Sequence, residues 1–180
     1  MTVTRLGAAR LTECAGELAD LLTDTVHGGA SIGFLAPLDR AEALSWWRSR
    51  ADAVAAGSLA VWTAREKGAD GPGGPVTGTV SLVLPDKPNS RHRAELVKLM
   101  VHRRARGRGL GRTLLETAER AAAASGITLL HLDTETDSPA ERLYRAAGWT
   151  RAGEIPDYAA SPSGVLRPTT LYFKHVAPPG

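Results

Sequence analysis

Apolar and polar positions follow two rhythms along this chain. Residues 3–6 alternate as a strand, and Leu11, Ala15, Leu18, Leu22 and Val26 recur at helical spacing, which predicts a helix over residues 12–26. The loop His27-Gly28-Gly29-Ala30-Ser31 interrupts that helix. A second helix is predicted over residues 38–56, with Gly57 as its stop. Residues 59–65 and 76–84 read as a strand pair joined by a Gly/Pro-rich turn over 67–75. After a polar turn, residues 94–101 form an apolar run broken only by Glu95 and Lys98, the pattern of a central strand buried on both faces.

A helix over 109–125 follows, with Leu110, Leu114, Ala118 and Ala122 on one face, and residues 129–134 supply the next strand. A strand, helix and strand in that order need a parallel, right-handed crossover. Ser138-Pro139-Ala140-Glu141 starts a short helix: Ser138 caps it, Pro139 suits its first turn, and Glu141 can close a capping box. Residues 149–158 and 169–176 read as closing strands, joined by the Pro/Ser/Gly-rich stretch 161–168. The expected fold is α/β: a mixed, mostly antiparallel central sheet flanked by helices, with one parallel βαβ crossover.

Composition narrows the class. A chain of 180 residues with 43% hydrophobic content supports one core, so residues 1–180 are expected to form a single domain. The N-terminus lacks a basic-then-apolar leader, and no stretch approaches the roughly 20 apolar residues that span a bilayer, so a cytoplasmic protein is expected. Cys14 is the only cysteine, which excludes an internal disulfide and a cysteine-rich metal site; it reads as a small buried hydrophobe on a helix. The net charge is only +3, yet Arg103, Arg104, Arg106, Arg108 and Arg112 fall together. Such a run is either a solvated face or a seat for an anion.

Its glycines favour the anion. Arg106-Gly107-Arg108-Gly109-Leu110-Gly111 lies between a central strand and a helix start, where backbone N–H groups and the helix dipole attract negative charge. The dinucleotide pattern G-x-G-x-x-G fails, because Arg112 stands where its last glycine belongs, and the triphosphate loop fails for want of a Gly-Lys pair. The Arg-x-x-Gly-x-Gly spacing instead resembles the pyrophosphate loop of the Gcn5-related N-acetyltransferase (GNAT) superfamily, and the order of elements resembles that fold over almost the whole chain. The resemblance implies acetyl-CoA as cofactor, with Leu99, Met100 and Val101 along the pantetheine arm. It also implies Arg106, Gly107, Arg108, Gly109, Leu110, Gly111, Arg112 and Thr113 around the phosphates, with Ser138 nearby. No metal is implied. His27 to Ser31, Lys98-Leu99-Met100-Val101, Leu129-Leu130-His131-Leu132-Asp133-Thr134-Glu135 and Tyr172-Phe173-Lys174 further resemble members that acetylate amino-acid-like, tabtoxin-type β-lactam toxins. That likeness implies a role in antibiotic resistance.

The chemistry such a site requires is removal of a proton from an ammonium group with pKa near 10, then attack of the free amine on a thioester. Glu95, on the strand proposed to carry the pantetheine contacts, is the candidate base or else a polar strand start. Asp133, near the carboxyl end of the next strand, is a candidate to hold the ammonium or share the proton removal. Tyr144 falls on the apolar face of its helix; the resemblance gives it the role of acid to the departing thiolate, and the alternative is a core tyrosine. A strand N–H near Met100 or Val101 is the candidate oxyanion donor. His27, Ser31 and Tyr158 are candidates for the acceptor pocket, and Trp46, Trp47, Trp62 and Trp149 read as packing.

The expected partner is thus a small-molecule amine, with no nucleic acid and no membrane, and a homodimer is compatible with this reading. Within enzymes the alternative is acetylation of a protein N-terminus or lysine, which needs an open groove. Outside enzymes the alternatives are a catalytically silent acetyl-CoA sensor and a nucleic-acid binder using the arginine cluster. The cluster's lack of interleaved aromatics counts against the last.

Overall fold

The computed structural model describes residues 2–66 and 73–177. Its strands are β1 (Thr2–Leu6), β2 (Leu59–Arg65), β3 (Val76–Val83), β4 (Arg93–Val101), β5 (Leu129–Glu135), β6 (Thr150–Ala160) and β7 (Leu166–His175). They form one seven-stranded sheet in the order β1-β2-β3-β4-β5-β7-β6. Every neighbouring pair is antiparallel except β4 and β5, joined by the predicted crossover. The mixed α/β architecture expected from the hydrophobic pattern is the one observed.

The helices are α1 (Ala8–Glu13), α2 (Ala15–His27), α3 (Arg40–Arg48), α4 (Ala51–Ala55), α5 (Leu110–Ala124) and α6 (Pro139–Ala146). Two long predicted helices are therefore broken. Residues 12–26 belong to α1 and α2, which meet at a turn, so Cys14 is buried at the junction and not within a helix. Residues 38–56 become α3 and α4. Asp39 caps α3 by accepting the Ala41 N–H, and the Ser49 hydroxyl at its far end donates to the Trp46 carbonyl at 2.8 Å, a side-chain bond that competes with helix continuation. At the C-terminal end, β6 and β7 are longer than predicted, so the expected loop 161–168 shrinks to a tight turn. Of the predicted turn 67–75, residues 67–72 lie outside the described residues.

Each face of the sheet carries its own core. Ala60, Trp62, Val80, Leu82, Leu96, Leu130 and Leu132 pack with α5 and α6 on one side, and Leu59, Val61 and Met100 pack with α1, α2 and α3 on the other. Gly78 lets α5 sit close on β3: a Cβ there would stand 2.8 Å from Leu114 Cδ1. Leu114 and Leu115 of α5 are fully buried, a gain of about 1.5–3 kcal/mol each. That packing fixes the loop at the helix's N-terminus.

β4 departs from its prediction. It is not buried on both faces: Ala94, Leu96 and Met100 are buried, and its other residues are only partly covered. A register shift against β3 falls at Lys98, whose φ is +53°. This bulge reverses the strand's faces, so Leu96 reaches the α5 core while Met100 joins the opposite one.

Among the described residues no helix is long and apolar enough to cross a membrane, and no group of three or more His, Cys, Asp and Glu could hold a metal ion.

Candidate active site

β4 and β5 pair in register only at Arg93–Leu129, Ala94–Leu130 and Glu95–His131, and then part. Beyond Glu95 the β5-facing edge of β4, residues 96–101, has no strand partner, and the strands open a cleft. Unpaired strand edges need hydrogen-bonding partners, and an extended amide-bearing chain supplies them.

The glycine loop stands at the open end. A 3-10 turn, Arg103–Ala105, leads into it and is pinned to α2: the Arg103 N–H donates to Asp24 at 3.0 Å and its guanidinium pairs with the same carboxylate. Burial alone would raise the Asp24 carboxyl, but these bonds outweigh it and hold it below the ordinary value. Gly107 and Gly109 both adopt positive φ, +75° and +77°, which aims successive N–H groups outward before α5 begins. Among the described residues, the backbone N–H groups of residues 107–112 have no protein acceptor until Thr113 bonds to the Gly109 carbonyl at 3.1 Å. Such a row of free donors at a helix N-terminus fits a pyrophosphate.

The side chains of the predicted cofactor residues divide. Leu110 and Met100 are buried in opposite cores, so only their backbone can face a ligand. Leu99 and Val101 are half-buried against the α5 core. The arginines are largely engaged elsewhere: Arg103 with Asp24, Arg112 with Glu116 at 2.9 Å, Arg108 with Glu66 at 3.9 Å, and Arg106 Nε with the Val101 carbonyl at 3.0 Å. The Thr113 hydroxyl donates to the Gly109 carbonyl, and Ser138 caps α6 by accepting the Glu141 N–H at 3.1 Å. Glu141 reaches back to the Asp137 N–H at 2.6 Å, one residue before the cap, and accepts the Tyr172 hydroxyl at 2.8 Å.

Glu95 and Asp133 lie on the same face of neighbouring strands. Leu130 and Leu132 turn toward the α5 core, so His131 and Asp133 face the other side, and the register sets Glu95 beside His131. Neither carboxylate is hydrogen-bonded to protein among the described residues, whereas Arg93 lies 3.2 Å from His131 Nε2. Burial pushes the His131 imidazole below its ordinary pKa against the pull of Glu95 and Asp133.

Tyr144 is 6% exposed, tilted against Trp149 and Tyr172 with centroids 5.8 and 6.5 Å away. Burial and, second, the Asp133 charge push its phenol well above the ordinary value, so it stays protonated. No protein group among the described residues hydrogen-bonds its hydroxyl.

The sequence reading missed Lys98 and Trp46. Lys98 Nζ donates to the Ile32 carbonyl at 2.7 Å and lies 5.6 and 5.4 Å from the ring centroids of Phe34 and Trp46. Burial lowers its pKa, while Asp133 and Glu95 counteract. One signal was available: a lone lysine inside an otherwise apolar strand run. Of the other acceptor candidates, Ser31 adjoins the Ile32 carbonyl that holds Lys98. His27 is exposed and accepts the Leu38 N–H at 3.3 Å, bracing the loop. Tyr158 is 52% exposed on the β6 irregularity and makes no hydrogen bond to the others.

A family model described as Acetyltransferase (GNAT) family matches residues 26–149. Among solved structures, an N-acetyltransferase from Staphylococcus aureus Mu50 superposes with TM-score 0.75 at 16% identity, over 97% of this chain and 99% of that one. The yncA protein of Salmonella typhimurium, solved with its cofactor acetyl-CoA, gives 0.74 at 22% identity, over 100% and 96%. A ribosomal-protein-alanine N-acetyltransferase from Brucella melitensis gives 0.73 at 21% identity, over 98% and 100%.

Proposed function

The chain belongs to the GNAT family of acetyltransferases, for which acetyl-CoA is the donor, and we propose that it acetylates the amine of a small molecule. Bound acetyl-CoA supplies an acyl thioester. The row of free N–H groups over residues 107–112 holds the pyrophosphate, and the unpaired edge of β4 holds the pantetheine arm. Glu95 takes the proton from the acceptor's ammonium, directly or through water, and Asp133 on the same face holds that ammonium in place. A backbone N–H at Met100 or Val101 donates to the thioester oxygen. Tyr144, kept protonated by burial, gives its proton to the leaving sulfur.

One observation carries the small-molecule reading. The loop over residues 28–39 is held across the acceptor side by the Lys98–Ile32 bond and by the Ala36 N–H donating to the Pro162 carbonyl of the β6–β7 turn at 2.8 Å. A covered acceptor side suits a small amine better than a peptide laid in an open groove. The likeness of the His27–Ser31, Lys98–Val101, Leu129–Glu135 and Tyr172–Lys174 segments to tabtoxin resistance protein supports an amino-acid-like antibiotic as the acceptor.

The test is release of free thiol from acetyl-CoA by the purified protein with amino-acid-like β-lactams, aminoglycosides, polyamines and short peptides. Acceptor-dependent release with a small amine is expected. Release with peptides alone would move the assignment to protein acetylation, and silence despite cofactor binding would leave a sensor.

A further inference from the structure

A cavity of about 310 Å³ lies between the α3–α4 segment and the bulged face of β3 and β4, on the same side of the sheet as Glu95. Its lining is mostly apolar, with Trp46 and Val97 among the walls, and it contains no Asp or Glu. Two cations line it. Lys98 Nζ is 5.4 Å and the Arg50 guanidinium carbon 5.2 Å from the ring centroid of Trp46, so two like charges rest on one indole. Neither forms an ion pair among the described residues, although arginines at residues 10, 40, 65, 103, 108, 112 and 151 do.

The same wall holds two polar groups without hydrogen-bond partners. Trp47 Nε1 and the Ser81 hydroxyl are buried with no hydrogen-bond partner, and both residues line the cavity. Buried N–H and O–H groups are nearly always paired, and beside these two neither Lys98 nor Arg50 meets a carboxylate within the cavity. Lys98 joins the cavity to the proposed acceptor position, because Glu95 and Asp133 are the carboxylates whose charge it feels.

We propose that this cavity is a carboxylate subsite, and that the acceptor is an amino acid-like zwitterion: its amine lies at Glu95 and Asp133, its carboxylate between Lys98 and Arg50, and its apolar side chain along Trp46 and Val97. This rests on the acetyltransfer assigned above. It goes beyond that assignment by placing the carboxylate of an amino-acid-like acceptor in this cavity.

The experiment compares amino acids with the amines left by removing their carboxylate: leucine with isoamylamine, phenylalanine with phenethylamine, lysine with cadaverine. Thiol release gives kcat/KM for each, and tryptophan emission of the protein follows binding of the same compounds without acetyl-CoA. In the native protein each amino acid is expected to exceed its amine by about ten- to a hundredfold, the scale of a charge-assisted hydrogen bond. Arg50→Gln should bring each ratio to within about threefold by weakening the amino acid alone; Lys98→Met, which also loses the bond to the Ile32 carbonyl, should lower use of both members but shrink the ratio to a similar value, and Lys98→Arg should restore part of it. Equal use of acids and amines by the native protein would overturn the proposal, as would an Arg50→Gln variant that keeps the ratio or lowers both members alike, or a Lys98→Met variant that keeps the ratio. If no compound releases thiol, the assigned reaction fails with these acceptors and the emission titration decides the subsite. Saturable binding of amino acids only, lost in Lys98→Met, upholds it; equal or absent binding rejects it.

Discussion

The two halves of the proposed site are built by opposite means. The phosphate end is backbone: the free N–H groups of residues 107–112 come from one contiguous segment shaped by glycines at positive φ, and most arginine side chains around it are tied to protein acceptors. The acceptor end is side chains: Glu95 and Lys98 from β4, His131 and Asp133 from β5, Trp46 from α3, and the Ile32 carbonyl from the loop above. A backbone site tolerates change in its side chains, and a side-chain site can change specificity one residue at a time. The proposed roles thus separate cofactor binding from the choice of acceptor.

The sharpest test of that division acts on chemistry alone. Glu95→Gln and Tyr144→Phe are each expected to lower kcat by about 10²–10⁴, the usual worth of a positioned acid or base, while the affinity for coenzyme A stays within a few-fold of native. Steady-state kinetics beside a coenzyme A titration measure both. Unchanged turnover in either variant removes that residue's role.

Gly109→Val attacks the other half. A β-branched residue at φ +77° costs about 1–2 kcal/mol and turns the loop's N–H groups off target, so coenzyme A affinity should fall about ten- to a hundredfold. Calorimetric titration would detect this. Native affinity in a folded variant would show that the pyrophosphate lies elsewhere.

The same contrast explains what the sequence disclosed. Residues 106–111 and the crossover around them are local, so the glycine pattern, the elements flanking it and the resemblance together mark the loop in the sequence. The break at Cys14 was hidden because Leu11, Ala15 and Leu18 stay in phase across it and all remain buried. β4 read as buried on both faces because an apolar strand looks the same whether protein or a ligand covers it; here the parting of β5 after Glu95 leaves it open. Glu95 and Asp133 are candidates by their places on two neighbouring strands, and Tyr144 only by what the resemblance implies. Lys98 and Trp46 were not singled out, because their meeting depends on a bulge and on the placement of α3, which no local pattern encodes.

Stability should report how the side-chain half is held. Glu141 joins α6, which carries Tyr144, to β7 through Tyr172, and it also satisfies the Asp137 N–H. Burial alone would raise its carboxyl, but these hydrogen bonds outweigh burial and hold it below its ordinary value of 4.5. Between the two values the unfolded chain binds more protons than the folded one. The contribution is therefore complete above the unfolded value and is lost as pH falls through the folded one. Glu141→Gln keeps one acceptor oxygen where two are used, so either the Asp137 N–H or the Tyr172 hydroxyl loses its partner, and should cost about 1–3 kcal/mol at neutral pH. Urea unfolding of both proteins should show that difference shrinking as the pH falls below 4.5 and gone once it is below the value of the native carboxyl. A difference independent of pH would mean that the charge of Glu141 contributes nothing.

The smallest expected effect is the most discriminating for the backbone half. Arg108 is exposed, and its contact with Glu66 is 3.9 Å long. If pyrophosphate is held chiefly by N–H groups, Arg108→Glu adds only a screened repulsion, and coenzyme A affinity should fall about three- to tenfold at low salt. Near molar salt, where the screening length shrinks to about 3 Å, variant and native affinities should converge. A loss that persists at high salt would mean that the guanidinium itself grips the phosphates, and the loop would then be a side-chain site like the acceptor pocket.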